Sequence, residues 1–476
     1  MHQSIIFVCA ALLVLAASFL IKKTTVKTAE VFIKSLTVLF CVVGFFRLML
    51  SDSFTFVING GYYDYTYYDA TDPLQTILRW GYYLNYAVLP MAVFFSSRLF
   101  RNIACYVCLP FSLLCTVFYN DFMRYFLAGE GRGLHMASWF RYAYFAFELI
   151  LAIAVPIIMA IKEKHLFKFK DPREWAKFLI ATPFIFILMI PVYAPQSLFG
   201  YSKLAAKQGS LYHYGWLAIV LIVTMALYYI FRFRRYNERY MLVVFLTIVL
   251  FFHYDSLYLM GFSIPRLPIQ LCNLAAYFYM IAIIGRLPRM FQFCFIANVT
   301  GAIIAMLLPD FLPGAFGFWN MHFVLEHSLV LIIPALAMGL RIFPRVEIKS
   351  MKYTWVGFSL YFVFCLMTGM ILNGYSKETG FEVNYFFLFD LDKAFGLFPF
   401  LKFTESFCIR FGRFYFYPVF VSIIYTAFMA MCFAFYAAVR FLYKMEDDHL
   451  QLRLSAIDLY EKLTKKTSKA PKEFID

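Results

Sequence analysis

Long apolar stretches separated by short polar loops run along almost the whole chain. A helix needs about 20 apolar residues to cross the ~30 Å hydrocarbon core of a membrane. By that length the pattern predicts about thirteen transmembrane helices, near residues 4–21, 31–50, 80–97, 103–120, 138–161, 178–195, 215–231, 240–257, 270–285, 290–308, 321–340, 354–372 and 414–440. The predicted fold is therefore an all-α, polytopic membrane helix bundle.

Basic residues cluster in every second loop, and this bias predicts the orientation. No Lys or Arg precedes the first stretch, whereas Lys22, Lys23 and Lys27 follow it, which is typical of an uncleaved anchor with its N-terminus outside. The later basic clusters are Arg98 with Arg101, 162–177, 232–239, Arg286 with Arg289, and 341–352. The positive-inside rule puts these loops and the C-terminus in the cytoplasm of a multi-pass cell-membrane protein.

The composition excludes several classes of protein. The 476 residues are 63% apolar and 15% charged, against ~45–50% and ~25% in soluble domains, which excludes a soluble enzyme, a disordered tail and a disulfide scaffold. The net charge of +15 lies in loop clusters rather than on one face, so no nucleic acid partner is expected. Since Cys105 and Cys108 lie inside an apolar stretch, a redox CxxC is not expected. No zinc-type spacing or Gly-rich phosphate loop occurs, and we expect neither a metal nor a cofactor.

The two halves of the chain share an internal repeat. Aligning Leu84-Asn85 with Cys272-Asn273 also aligns the Arg-x-x-Arg segments at 98–101 and 286–289. Further matches pair Asp121 with Asp310, Glu148 with Glu326, and Pro156 with Pro334. Six helices in each half would make the halves parallel repeats. The predicted domains are a degenerate, non-catalytic repeat at 1–207, a second repeat with the last helix at 208–443, and a charged cytoplasmic tail at 444–476.

Polar side chains within the apolar stretches concentrate in the second half, near the predicted outer ends of its helices. Each is a candidate functional residue, because a polar group in hydrocarbon costs several kcal/mol unless it is paired or faces water. They are His253, Asp255, Cys272, Asn273, Asp310, His322, Glu326 and His327. Cys272 and His327 lie within two turns of the start of helices that enter from the same side, so both would lie in the outer third of the membrane. The first half has Leu84 and Leu149 at the aligned positions, so the chemistry is expected in the second half.

A cysteine and a histidine at this depth suit acyl transfer. A thiol attacks an ester only after an adjacent imidazole has withdrawn its proton. The structural alternative is that Cys272 is a packing residue and that His327 links two helices by a hydrogen bond. Spacing alone favours this alternative.

Five short motifs of the second half occur in a recognisable order. They are LPIQLCNLA from Leu267, LLPD ending at Asp310, FVLEH ending at His327, NYFFL from Asn384 and RFYFYP from Arg413. As a set they resemble the YwaF-like bacterial integral membrane proteins, relatives of the phospholipid acyltransferase transmembrane protein 164, over about residues 212–443. The resemblance implies that Cys272 carries the acyl group, that His327 is its base, and that no soluble carrier takes part. The chain departs from the family at Gln270, where a histidine is expected, and in its six leading helices.

The resulting hypothesis is a membrane-embedded thiol acyltransferase that moves an acyl chain between phospholipids, with hydrolysis by the same pair as a close variant. Glu326 lies about 100° around the helix from His327 and is expected to face another partner. Candidates for substrate binding are Asn273, Asp310, His322, Glu326, Asn384 and Tyr385. The alternatives are a lipid or head-group transporter or flippase, and a non-catalytic membrane scaffold.

Overall fold

The computed structural model describes most of the chain between residues 26 and 464. The described residues are 11–14, 16, 19, 26–46, 73–120, 138–162, 171–189, 205–255, 267–312, 314–376, 382–389, 391–411 and 414–464. Most of the expected first helix at 4–21 lies outside them, as do Lys22, Lys23 and Asp121. Within these residues the fold is a helical bundle with one short hairpin, as the hydrophobic pattern predicts.

The first half is mostly helical where it is described. Its helices are α1 (Val26–Phe46), α2 (Pro73–Phe94), α3 (Arg98–Ile103), α4 (Leu109–Val117), α5 (Ser138–Lys162) and α6 (Pro172–Met189). A π-helical turn, Ala104–Cys108, joins α3 to α4 without a break, so that Arg98–Val117 forms one rod. α2, α5 and α6 each contain an internal proline, at Pro90, Pro156 and Pro183.

The two longest described helices, of 27 and 47 residues, lie in the second half. The first helices of this half are α7 (Leu211–Phe231), α8 (Tyr236–Asp255), α9 (Leu271–Ile284), α10 (Pro288–Leu307), α11 (Phe318–Gly339) and α12 (Ile348–Gly374). After α12 come a 3-10 turn (Tyr385–Phe387), α13 (Leu391–Leu397), a 3-10 helix (Pro399–Phe407), β1 (Ile409–Phe411), β2 (Phe414–Phe416) and α14 (Pro418–Thr464). β1 and β2 pair antiparallel, with Ile409 opposite Phe416.

Eight helices of the described residues are long and apolar enough to cross a membrane. They are Lys27–Phe46, Arg98–Val117, Tyr142–Lys162, Leu211–Phe231, Pro288–Leu307, Trp319–Gly339, Ile348–Gly374 and Pro418–Met445. The predicted spans at 80–97, 178–195 and 240–257 correspond to the helices α2, α6 and α8. Polar residues in the first turns of these helices shorten their apolar part. A polytopic bundle is therefore supported, whereas the count of thirteen and the duplicated layout stay predictions.

Local sequence signals explain several helix ends. The side chain of Ser210 accepts a hydrogen bond from the backbone of His213 at the start of α7. Glu347 and Ser350 form a reciprocal capping box at the start of α12. Pro288 occupies the first turn of α10, where its missing N–H has no helical partner to lose. α14 runs without a break past residue 443, so 444–464 continue the last helix.

α10 is at the centre of the second half and contacts α9, α11, α12 and α14. The two halves meet where α2 packs against α8, with the ring of Tyr86 stacked on Phe252 at 4.2 Å between centroids. The segment after α12 packs back onto that helix at Gly369. A Cβ atom there would lie 2.1 Å from the ring of Phe389, so only glycine allows this approach. This contact brings 382–389 towards the start of α9.

Candidate functional site

Cys272 is the second residue of α9 and carries a free, half-buried thiol. The N-cap residue Gln270 places no side-chain cap on this helix end. The first backbone N–H groups of a helix have no intrahelical acceptor, and together with the helix dipole they attract negative charge. The start of α9 can therefore stabilise a thiolate or an oxyanion next to the Cys272 sulfur.

α9 is too short to cross a membrane alone. Its fourteen residues rise about 21 Å, less than the ~30 Å of a hydrocarbon core. The predicted span at 270–285 is therefore not among the described helices that are long enough to cross. The residues directly before it, 267–270, are not helical.

Gln270 binds the segment 382–389 to the start of α9. Its Nε2 donates to the carbonyl of Asn384 at 3.0 Å, and its Oε1 accepts from the backbone N–H of Phe386 at 3.0 Å. The backbone of Phe386 is left-handed, with φ +53°. A side-chain amide has both the donor and the acceptor that this contact needs. Gln270, which stands where the resemblance leads us to expect a histidine, therefore has a structural role.

Two residues predicted to bind substrate, Asn384 and Tyr385, lie in this bound segment. The side-chain oxygen of Asn384 accepts from the backbone N–H of Phe389 at 2.9 Å, which fixes the turn. Tyr385 is buried, and burial raises the pKa of its hydroxyl, so it keeps its proton. The hydrogen bonds of Gln270 therefore bring the backbone of this segment to the start of α9.

We expect Gln270→Glu to destabilise the fold because it removes the donor to Asn384 and sets a carboxylate against that carbonyl. An unsatisfied buried group costs about 1–3 kcal/mol, so the melting temperature in detergent should fall by several degrees. Gln208→Glu is the control, because exposed Gln208 makes one 3.3 Å bond to the Leu307 carbonyl. Equal melting temperatures for both variants, measured by thermal unfolding, would contradict the structural role of Gln270.

A second group of polar residues lies on α8 and α11. The imidazole of His322 contacts the carboxylate of Glu326 at 3.2 Å, one turn away on the same helix face. The ring of His253, from α8, stacks on His322 with 5.0 Å between centroids. All three side chains are buried. Glu326 therefore contacts His322 on its own helix face.

This cluster lies close to the start of α9. Asn273, the neighbour of Cys272, donates to the hydroxyl of Tyr254 at 2.9 Å, and the ring centroid of Tyr254 lies 6.1 Å from that of His322. The Oε1 atom of Glu326 has no hydrogen-bond partner among the described residues. The structure thus brings Cys272, Glu326, His322 and His253 into one region, and direct contact between Cys272 and His327 stays a prediction.

The hydrogen bonding of His327 defines which of its nitrogens is available. Nδ1 lies 2.7 Å from the carbonyl oxygen of Phe323, so in the neutral ring Nδ1 carries the proton and donates. The other nitrogen, Nε2, then has its lone pair available for a proton. This tautomer is the one that a general base requires.

The remaining predicted residues occupy different environments. Asn273 donates from its side chain to the hydroxyl of Tyr254 at 2.9 Å, so it joins α9 to α8. Asp310 is exposed in the loop after α10. In the first half, the hydroxyl of Tyr86 donates to Glu148, the residue aligned with Glu326. Among the described residues, Glu148 and Glu326 are both buried.

Sequence reasoning missed two neighbours of the Cys272 end of α9. Tyr361 and Cys365, one turn apart on α12, are both buried, and the Cys365 thiol donates to the carbonyl of Ile269 at 3.6 Å. Their i, i+4 spacing on an apolar helix was the available signal, but it also describes ordinary core residues.

Other histidines and cysteines have structural roles. His213 accepts from the backbone N–H of Gly209 at 3.0 Å through Nδ1, so its Nε2–H donates to the Met306 carbonyl at 2.7 Å. Cys105 and Cys108 are buried, free thiols in the π-helical turn. In the part of the chain that the structure describes, no group of three or more His, Cys, Asp or Glu could hold a metal ion.

The comparisons with known proteins support one part of the resemblance. Residues 208–438 match the model of the TMEM164 family, and this region contains every residue of the candidate site. The YwaF-like bacterial family is not shown by any of the comparisons. No curated protein and no solved structure gives a significant match to the chain. The half of the chain before residue 208 lies outside the family match.

Proposed function

We propose that the protein is a membrane-embedded acyltransferase that moves an acyl chain between phospholipids through a thioester on Cys272. The observation that carries the proposal is the position of this thiol. Cys272 lies at the start of the short helix α9, whose N-cap residue makes no side-chain cap, and its neighbour Asn273 bonds to Tyr254 beside the buried His322–Glu326 pair. The match of 208–438 to the TMEM164 family adds support, because it covers this helix and the whole cluster.

The first half-reaction transfers the acyl group to sulfur. His327 Nε2 takes the proton from the Cys272 thiol, and the thiolate attacks the ester carbonyl of the donor lipid. The backbone N–H groups at the start of α9 stabilise the oxyanion that forms. When the tetrahedral intermediate collapses, the ester C–O bond breaks, and the lysophospholipid oxygen leaves with the proton from His327.

The second half-reaction reverses these steps with a different alcohol. His327 removes the proton from a hydroxyl group of a lysophospholipid acceptor, and that oxygen attacks the thioester carbonyl. The C–S bond breaks, and the proton returns to the Cys272 sulfur.

Glu326 supports the base rather than the nucleophile. A carboxylate close to a thiolate repels it, so a positive charge has to form near both groups when the thiol ionises. The imidazolium of His327 supplies that charge, and Glu326 stabilises it electrostatically. His322, at 3.2 Å from Glu326, holds the carboxylate in position.

A transfer assay with the purified protein in vesicles tests this function. We expect a phospholipid with an isotope-labelled acyl chain to pass the label to an added lysophospholipid of a different head group. One unlabelled lysophospholipid should form for each labelled product, since the reaction conserves esters. Labelled free fatty acid as the product would identify a hydrolase, and unchanged lipids would contradict acyl chemistry.

Lipid or head-group transport is the second candidate function. Interrupted helices favour transport. Internal prolines interrupt the hydrogen bonding of α2, α5, α6 and α11, and a π-helical turn follows α3. Such broken helices are common in transporters. The described polar cluster, however, lies in the second half alone. Movement of a fluorescent lipid between leaflets that is equal in the wild type and in Cys272→Ala would favour transport.

A further inference from the structure

A groove with a volume of about 670 Å³ lies beside the contact between the two halves of the protein. α1 and α2 form one wall and α8 and α9 form the other. Its lining is largely apolar and includes Val42, Phe45, Val244, Ile248, Phe251 and Met280. Val42 and Phe45 are 44% and 39% exposed, so the groove opens towards the surroundings of the bundle.

One end of this groove carries a positive charge. Arg286, in the turn after α9, lines that end together with Asn237 and Tyr240 from the start of α8. The guanidinium lies over the ring of Tyr240, 4.9 Å from its centroid, and the Tyr240 hydroxyl donates to the Ile283 carbonyl at 2.9 Å. A hydrogen bond with Tyr240 raises the pKa of Arg286. Among the described residues, Arg286 forms no ion pair with a carboxylate.

The groove is long enough for an acyl chain. From Asn237 to Phe251, α8 rises about 21 Å, more than the ~15 Å half-thickness that one lipid chain occupies in a bilayer. An apolar groove of this length, with the cation of Arg286 and the amide of Asn237 at one end, matches a molecule with an anionic head and a long alkyl chain. Arginine is well suited to phosphate, which it binds through two parallel hydrogen bonds.

We propose that this groove binds a phospholipid, whose phosphate lies on Arg286 and whose acyl chain lies between α1 and α8. The site is distinct from the Cys272 end of α9, because Arg286 follows the opposite end of that helix. It also needs residues from both halves, since α1 and α2 precede residue 208, where the family match begins. The first half therefore has a role in lipid binding that does not depend on acyl transfer.

Photocrosslinking tests this site on the full-length protein in phosphatidylcholine nanodiscs. The probe is a trace phosphatidylglycerol with a diazirine in one acyl chain, and diacylglycerol with the same chains is the probe that lacks phosphate. Arg286→Gln removes the charge, and Arg289→Gln is its control, because Arg289 lies over Tyr353 in the same basic cluster and does not line the groove. Val42→Trp fills the groove, and Leu39→Trp is its control on the same helix, since Leu39 is 39% exposed and lies outside this groove.

We expect the phosphatidylglycerol probe to label peptides of α1 and α8 in the wild type and in both controls. Arg286→Gln should reduce this labelling about tenfold, the loss expected for a charge-assisted phosphate contact, and Val42→Trp should reduce it similarly. Diacylglycerol should label these peptides weakly. Equal labelling of Arg286→Gln and Arg289→Gln, equal labelling by the two probes, or labels spread evenly over all lipid-facing helices would overturn the proposal.

Discussion

Replacement of Cys272 by alanine is expected to abolish acyl transfer, with turnover at least about three orders of magnitude below the wild type, because loss of a covalent nucleophile removes the whole pathway. Serine at the same position should fail as well, since a hydroxyl ionises far less readily than a thiol near neutral pH. The measurement is the rate of label transfer from donor phospholipid to lysophospholipid in vesicles.

A second cysteine variant controls for the loss of a thiol in the same half. Cys294 is a buried, free cysteine on α10, and it should tolerate alanine with a modest loss of stability and near-normal turnover of the folded protein. Wild-type turnover in Cys272→Ser or Cys272→Ala would exclude the thioester route.

His327→Ala is expected to lower turnover by about 10²- to 10⁴-fold, the usual contribution of a general acid–base group. The variant should regain part of its rate as the pH rises, because hydroxide in the surrounding water then forms the thiolate without the imidazole. A purely structural role of His327 in packing predicts no such pH-dependent recovery. The measurement is the transfer rate between pH 6 and pH 10 for the variant and the wild type.

His213→Ala is the control for the histidine variant. His213 is also buried, and both of its nitrogens are hydrogen-bonded to backbone groups, so its loss should lower the melting temperature and leave the turnover of the folded protein nearly unchanged. Loss of turnover in His213→Ala equal to that in His327→Ala, at matched folded protein, would contradict the assignment of the base.

Hydrophobic length predicted most helices because each crossing of a membrane needs an apolar stretch. The predicted span begins near residue 80, whereas helix α2 begins seven residues earlier, at Pro73. The polar residues Gln75 and Arg79 lie in this first part of the helix, so hydropathy did not include it. The end of the last helix was also misplaced, because α14 continues into charged sequence as far as Thr464. Hydropathy reports burial in lipid, and a helix continues wherever its backbone hydrogen bonds can form.

The candidate site was predicted only as a set of separate residues. Chain direction and depth predicted Cys272 and the histidines of α11 at the same end of the bundle, and in the structure the bond from Asn273 to Tyr254 joins the start of α9 to the region of His322. The bridge from Gln270 to Asn384 and the neighbours Tyr361 and Cys365 were not predicted, because each depends on packing between segments far apart in the sequence. The groove at Arg286 was missed for the same reason, since its two walls come from different halves.

The central claim, a thioester on Cys272, can be measured directly by mass spectrometry. The purified wild-type protein is incubated with a phospholipid donor in the absence of an acceptor, and its intact mass and cysteine-containing peptides are compared before and after hydroxylamine. We predict one added acyl mass on the peptide that contains Cys272, removed by hydroxylamine and formed much more slowly in His327→Ala. Absence of this adduct, or acyl groups distributed equally among the cysteines, would contradict the account.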